Sequence, residues 1–273
     1  VRHRIIPMRL FRVYLLSALL HLKAHLIYRA SVLIWLFSMV LEPVVFMMVW
    51  RAVALAEGGS AGGHTEGTLT AYYLIMMVVN HLTFTWIMHE YAYRIREGVL
   101  AGQLLYPLHP IHRDVTMNVT YKVLGLVLFI PALLLLSVFL KPEFQFEPWQ
   151  VLAFLPTLAL AAAMRFLMEW AVAQTAFWCI ENSSFNQAYY VATMFFSGRV
   201  APISMFPDWL SAVARYLPFW LGVALPVETL LGSLTPEEVM SGMVVQTAWL
   251  AFFAGFVAWV WSRAVRRFGA VGS

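Results

Sequence analysis

Glu42, His81, Thr85, His89, Arg165 and Glu169 are ionisable or polar side chains set inside long apolar stretches. A charge at membrane depth is costly, so such residues face a bundle interior, a water-filled cavity or a partner chain. Glu42 precedes Pro43, which lacks a backbone donor and can kink a helix. The two together read either as a gate on a pathway or as a buried acid beside a structural kink. His81, Thr85 and His89 recur every four residues, with Asn80 and Glu90 adjoining, which predicts three polar groups on one helical face. They would line a polar cavity or hydrogen-bond to neighbouring helices. Arg165 and Glu169 are spaced for an ion pair within one helix, a structural role that lowers the cost of keeping both charged.

Hydrolytic and nucleotide chemistry find no support. There is no GxxxxGK[ST] phosphate loop and no GxSxG turn. The run beginning His89-Glu90 has Tyr93 where a zinc protease needs its second histidine. His109 and His112 have no third ligand nearby, and the single cysteine, Cys179, can form neither an internal disulfide nor a zinc site alone.

The elements that must position these residues follow from composition. Of 273 residues, 62% are hydrophobic and only 12% charged, against roughly 25% charged in a soluble domain. Most of the surface must therefore face lipid, and the fold class is an all-α membrane protein. Six segments have the roughly 20 apolar residues of a span: about 30–56, 70–93, 116–140, 150–178, 183–201 and 241–263. No repeat or long linker divides them, so 1–273 reads as one transmembrane domain. Arg2, Arg4, Arg9, Arg12, Lys23, Arg29, Arg94, Arg96, Arg113, Lys122, Arg263, Arg266 and Arg267 fall on one side, and only Arg51, Lys141, Arg199 and Arg215 on the other. By the positive-inside rule both termini are cytoplasmic. The mildly basic balance does not imply nucleic acid. Residues 7–28 mix leucines with charge and suit an interfacial helix, or else a cytoplasmic extension of the first span. The basic N-terminus has no small-residue cleavage site and is not read as a signal peptide; Val1 is compatible with a bacterial GTG start. Residues 57–68 read as a flexible glycine-rich outer loop. Asn182 or Ser183 is placed to cap the fifth span, and Thr235-Pro236-Glu237-Glu238 to start the sixth.

Ser197-Gly198-Arg199-Val200-Ala201-Pro202 ends the fifth span abruptly, yet the chain stays apolar. Arg199 is expected to snorkel to water, and Pro202 to block the helix. Pro207-Asp208 opens a short helix with Trp209, Leu210 and Val213 on an apolar side. Such broken backbone is tolerated at membrane depth only under cover of protein or beside a cavity. Residues 202–235 therefore read as an outer re-entrant hairpin, or as a surface loop packed on the bundle.

The loop at 94–114 interleaves Ile95, Val99, Leu104 and Leu105 with Arg94, Arg96 and Glu97, and prolines 107 and 110 end the pattern. It presents an apolar helical face to a cytoplasmic partner or rests on the membrane surface. Arg96, Gly98, Leu100, Leu104, Leu105 and Pro107 resemble the coupling-helix segment of ABC type-two transporter permeases. Ser197-Gly198-Arg199, Pro202, Phe206-Pro207, Trp209-Leu210 and Tyr216-Leu217-Pro218-Phe219 resemble that family's segment after the fifth span. Within the family the chain is most similar to the bacterial branch that includes viologen-type exporters.

The resemblance implies six spans with an N-terminal interfacial helix, a cytoplasmic coupling helix and an outer hairpin, in a bacterial inner membrane. It implies two separate ATPase subunits that hold ATP and magnesium, no cofactor in this chain, and a second permease chain, same or related. The coupling set would be Arg94, Arg96, Glu97, Gly98, Leu100, Leu104, Leu105 and Pro107. Candidates for the pathway or gate are Glu42, His81, Thr85, Arg165, Glu169, Arg199 and Phe206. The expected activity is outward movement of a hydrophobic, amphipathic, cationic or lipid-like molecule. Export of a polysaccharide or lipid-linked glycan is an alternative in the same class. An ion-coupled carrier using Glu42 and the Arg165–Glu169 pair is the alternative from another class.

Overall fold

The computed structural model describes residues 7–27, 29–179 and 182–268. Arg2, Arg4 and Tyr28, which enter the sequence-based assignments above, lie outside the described residues. Among the described residues the chain is helical apart from one minimal strand pair. Helix α1 (Pro7–Ile27) packs along α6 (Pro110–Leu140), with Tyr14 Oη 2.6 Å from His112 Nδ1. Its other face leaves Leu15, Leu16, Leu19 and Leu20 exposed. Helix α2 (Arg29–Ala56) contains Glu42 and Pro43, and Phe37, Leu41, Val45 and Met48 lie bare along it.

The stretch expected to be a flexible loop is instead a tight hairpin. Strands β1 (Ser60–Ala61) and β2 (His64–Thr65) pair antiparallel. Gly62 and Gly63 both have positive φ, 54° and 82°, the conformation that a two-residue hairpin turn demands and glycine supplies without strain. The hairpin is tied down by a His64–Ser204 side-chain contact of 3.0 Å. Thr65 then caps the next helix, accepting from the Thr68 amide.

That helix, α3 (Glu66–Thr83), is followed by α4 (Ile87–Arg96) and a short α5 (Val99–Leu104). The expected second span is thus broken at residues 84–86. Helix α6 bends by 41° between Pro110–Val127 and Phe129–Leu140. Pro131 cannot donate to the carbonyl four residues back, that of Val127, and its ring crowds it. Helix α7 (Pro148–Ala173) runs on through a 3-10 turn at Gln174–Phe177, and α12 (Pro236–Arg267) closes the chain. The Thr235-to-Glu238 capping box at the start of α12 forms as its residues predict.

Among the described residues four helical stretches are long and apolar enough to cross a membrane, or five if the bent α6 is one span. The remaining segment expected to span, 183–201, is helical only over α8 (Ser183–Phe196), 14 residues. That length reaches about 21 Å at 1.5 Å per residue, short of a ~30 Å hydrocarbon core. Asn182 occupies its N-cap position, but its side chain makes no cap bond and donates to the Met88 carbonyl instead.

After α8 the chain turns at Gly198, φ 82°, and its loose carbonyls are collected by aromatic side chains. Tyr72 Oη donates to Gly198 O (2.9 Å), and Tyr73 Oη and Trp50 Nε1 to Val200 O (2.8 and 2.7 Å). Unsatisfied backbone groups cost several kcal/mol each in lipid; these donors remove that cost at two positions. A β-carbon on residue 198 would collide with the Tyr72 hydroxyl. Gly198→Ala is therefore expected to lower stability by more than the ~1 kcal/mol of an ordinary glycine exchange, read as a lower unfolding midpoint in detergent.

Helix α9 (Asp208–Ala214) shows Trp209 and Val213 outward. Helices α10 (Pro218–Gly222) and α11 (Ala224–Leu231) are covered by α3, α7 and α12, and Leu221, Val223, Leu225 and Val227 are fully buried. Gln246 of α12 clasps this hairpin, donating to Leu221 O (2.8 Å) and Thr157 O (3.1 Å). Within the proline-rich segment, α10 and α11 are thus folded and covered by protein, while α9 keeps an exposed face.

Candidate functional site

The α3–α4 break is where the polar residues converge. Phe84 leaves the helix with ψ 146°, and its amide makes the last helical bond, to Asn80 O. The Thr85 amide has no helical acceptor and donates instead to Glu169 Oε2 of α7 (2.7 Å). Thr85 Oγ1 accepts from the Ile87 amide and starts α4. Glu169 Oε1 accepts from Arg165 Nε and Tyr189 Oη, each 2.9 Å. Arg165 Nη1 reaches Asn80 Oδ1 and Thr83 Oγ1 at the end of α3, and its guanidinium lies over the Phe84 ring. Arg165 and Glu169 are both buried. The expected ion pair is present and does more than neutralise itself: a carboxylate replaces the helix bond that the break gives up.

This geometry corrects the reading of His81, Thr85 and His89 as one stripe. Across the break the three side chains meet different surroundings. His81 turns to α6, where Nε2 donates to Lys122 O (3.1 Å) and the ring stacks on Phe129. His89 stacks on Trp86 at 4.2 Å. Thr85 and His89 do face a cavity of about 390 Å³; His81, Arg165, Glu169 and Phe206 do not line it. Phe206 packs with the hairpin around Ile203, Trp220 and Leu221.

The cavity lies between α2, the break, the start of α6 and α8. Its wall is largely apolar and aromatic, with Met39, Phe84, Trp86, Met117 and Tyr121, and it carries Glu42 and Arg199. Arg199 was expected to snorkel outward. It is instead buried and turned to α2, where Nη2 donates to both Glu42 oxygens (2.7 and 2.8 Å). An intramembrane carboxylate is a nearer and stronger partner than distant water. Tyr190 Oη donates to Glu42 (3.2 Å), and its ring lies beneath the guanidinium. Only one guanidinium nitrogen serves both Glu42 oxygens, and among the described residues buried Arg199 Nε has no hydrogen-bond partner. The pair is therefore short of the two-nitrogen fork that makes Arg–carboxylate contacts strong. A second, more polar cavity of about 440 Å³ shares Trp86, His89 and Tyr190 with the first and extends to Asn182 and Gln187.

Past α4 the chain reaches α5 through Gly98, φ 69°. Arg94, expected among the coupling residues, does not face outward. It is buried, paired with Asp114 and Glu90, and Asp114 also accepts from Trp170 Nε1 (3.0 Å). Those contacts fasten α4 to α6 and α7. Leu100 is likewise turned inward, 0% exposed, and Leu104 is half-buried against the same core. What the segment presents outward is Arg96, Glu97, Leu105, Tyr106 and Pro107, with Leu105 88% exposed.

Residues 40–272 match a family model described as ABC-2 family transporter protein. The chain belongs to the ABC-2 transporter family. No curated protein matches it. The ABC-2 assignment makes the chain the membrane-embedded part of a transporter, as the composition requires. Sequence reasoning named Glu42, Thr85, Arg199 and the Arg165–Glu169 pair, but connected neither Thr85 to Glu169 nor Arg199 to Glu42; it gave no partner to Tyr189, Tyr190, Asp114 or Trp170. Nothing in their local sequence marks them, because each acts on a residue at least 20 positions away.

Proposed function

We propose that this ABC-2 chain is the permease subunit of an ATP-driven exporter that moves a hydrophobic, amphipathic or cationic small molecule, or a lipid-like one, out of a bacterial cell. The observation that carries the reading is the largely apolar, aromatic cavity with the Glu42–Arg199–Tyr190 cluster in its wall. Methionine and aromatic side chains suit an apolar body, and a cationic group would compete with Arg199 for the Glu42 carboxylate and the Tyr190 face. The chain carries no phosphate loop, so ATP and magnesium would sit on two partner ATPase subunits docked at Leu105, Tyr106 and Pro107. A second permease chain, same or related, would complete the pathway, with both termini in the cytoplasm and 202–235 dipping into the outer leaflet. The viologen-type branch agrees with such a substrate class.

The test is ATP-dependent accumulation of ethidium, a planar organic cation, in vesicles holding the permease with its ATPase. Glu42→Gln is expected to lower the initial rate by about tenfold to a hundredfold, since a charge-assisted contact is worth about 1.5–3 kcal/mol. Accumulation driven by a proton gradient without the ATPase would instead establish the ion-coupled carrier. An unchanged rate in Glu42→Gln would remove the cavity from the pathway.

A further inference from the structure

The polar network behind the cavity carries an inference about how motion reaches it. Three observations meet at residues 84–86. The break separates α3, which is buried almost throughout, from α4, which leads past Gly98 into α5 and the exposed Leu105 and Tyr106 at its end. The cavity wall is built from the break and the first turn of α4, including Phe84, Thr85, Trp86 and His89. And the amide that a continuous helix would satisfy is held by a carboxylate from another helix, Glu169. A broken helix whose free amide is met by a side chain can change its angle without stranding a backbone group in lipid. That is the property of a hinge.

Glu169 is itself fixed from two sides. Arg165 joins it to Asn80 and Thr83, which end α3, and Tyr189 joins it to α8. The next residue, Tyr190, donates to Glu42 across the cavity. Consecutive tyrosines of α8 thus bond on one side to the α7 carboxylate that holds the break and on the other to the α2 carboxylate.

We propose that residues 84–86 are the hinge on which α4 and α5 turn as a unit. Glu169 is its positioning residue, and Tyr189 and Tyr190 link its state to the Glu42–Arg199 pair. The inference rests on the reading of α5 as the ATPase-docking helix, and it assigns the Arg165–Glu169 pair to transmission rather than to substrate contact. Movement of α5 then changes the cavity through Trp86 and His89, and no other helix need melt. A path of contacts does not by itself establish coupling, so the test must read movement.

In a Cys179→Ser background, spin labels at Phe37→Cys on α2 and Tyr93→Cys on α4, both exposed sites, report the α2–α4 distance across the cavity. The sample is the permease–ATPase complex in lipid, without and with ATP. The expected result is a change in distance on adding ATP. Thr85→Pro, which deletes the amide that Glu169 accepts, should lose that change while the ATPase still co-purifies. Phe84 already has the extended backbone that a following proline requires. Thr85→Ser, which keeps both the amide and the hydroxyl, should retain it. Should Thr85→Pro fail to fold, Tyr189→Phe removes one hydroxyl at constant shape and should reduce the change. A full ATP response in Thr85→Pro, or in Tyr189→Phe where the proline variant does not fold, overturns the hinge and leaves the exporter reading standing. So does a wild-type complex that assembles but shows no change in distance. An ATPase that does not bind the wild-type permease overturns the exporter reading, and the hinge with it.

Discussion

Replacing Glu169 by alanine costs the folded chain about 3–5 kcal/mol, the loss typical when one partner of a buried ion pair is removed. The substitution leaves the Arg165 guanidinium buried, and it strands the Thr85 amide and the Tyr189 hydroxyl. In lipid the contact of apolar side chains brings little hydrophobic gain, because the surrounding tails are equally apolar. Polar contacts therefore carry an unusual share of what holds α3, α7 and α8 together. The measurement is the thermal unfolding midpoint of the purified chain in detergent. The double substitution Arg165→Met with Glu169→Leu separates charge from hydrogen bonding. It removes the unpaired charge and should recover part of the loss, but not the Thr85 amide, whose stranding costs about 1–3 kcal/mol. A midpoint unchanged in Glu169→Ala would mean that the break is held by something other than this carboxylate.

Leu105→Glu is expected to abolish recovery of the ATPase with the permease. Leu105 projects from the end of α5 almost wholly exposed, so a charge there does not disturb the fold. Burial of such a side chain in a partner's groove makes it an anchor, and truncating or charging an anchor costs at least about 2 kcal/mol, some 30-fold in affinity. The neighbouring positions serve as controls. Leu104 is packed on the core formed by Trp170, Phe166 and Tyr91, so charging it damages the permease itself. Arg94→Ala opens the buried contact with Asp114 and lowers stability without touching the outer face. Affinity purification through a tag on the permease gives the readout. Undiminished recovery with Leu105→Glu would move the docking surface elsewhere.

The capping box of α12, the apolar lengths of α2 and α7 and the buried Arg165–Glu169 pair could all be read from residues within a few positions of one another. The bend of α6 belongs to the same class, since Pro131 acts on its own turn. The break in α3–α4 does not. Asn80 to Glu90 contains no proline or glycine, and its residue types permit an unbroken helix. At the break Glu169, 84 positions later, offers the Thr85 amide a charged acceptor in place of the helical one. The same limit explains Arg199. Local sequence places it at the end of a helix beside Gly198, from which snorkelling to water follows; the fold instead brings Glu42 within 2.7 Å.

The sequence by itself determined the solvent of this protein, its helical class, its starts and kinks, and which side chains were too polar to be idle. Those properties depend on composition and on neighbours along one turn. Tertiary structure alone decided which polar groups meet, which coupling residues point inward, and where a span is interrupted. In lipid each polar group must find a partner inside the protein, and the nearest one in space is set by helix packing rather than by chain order.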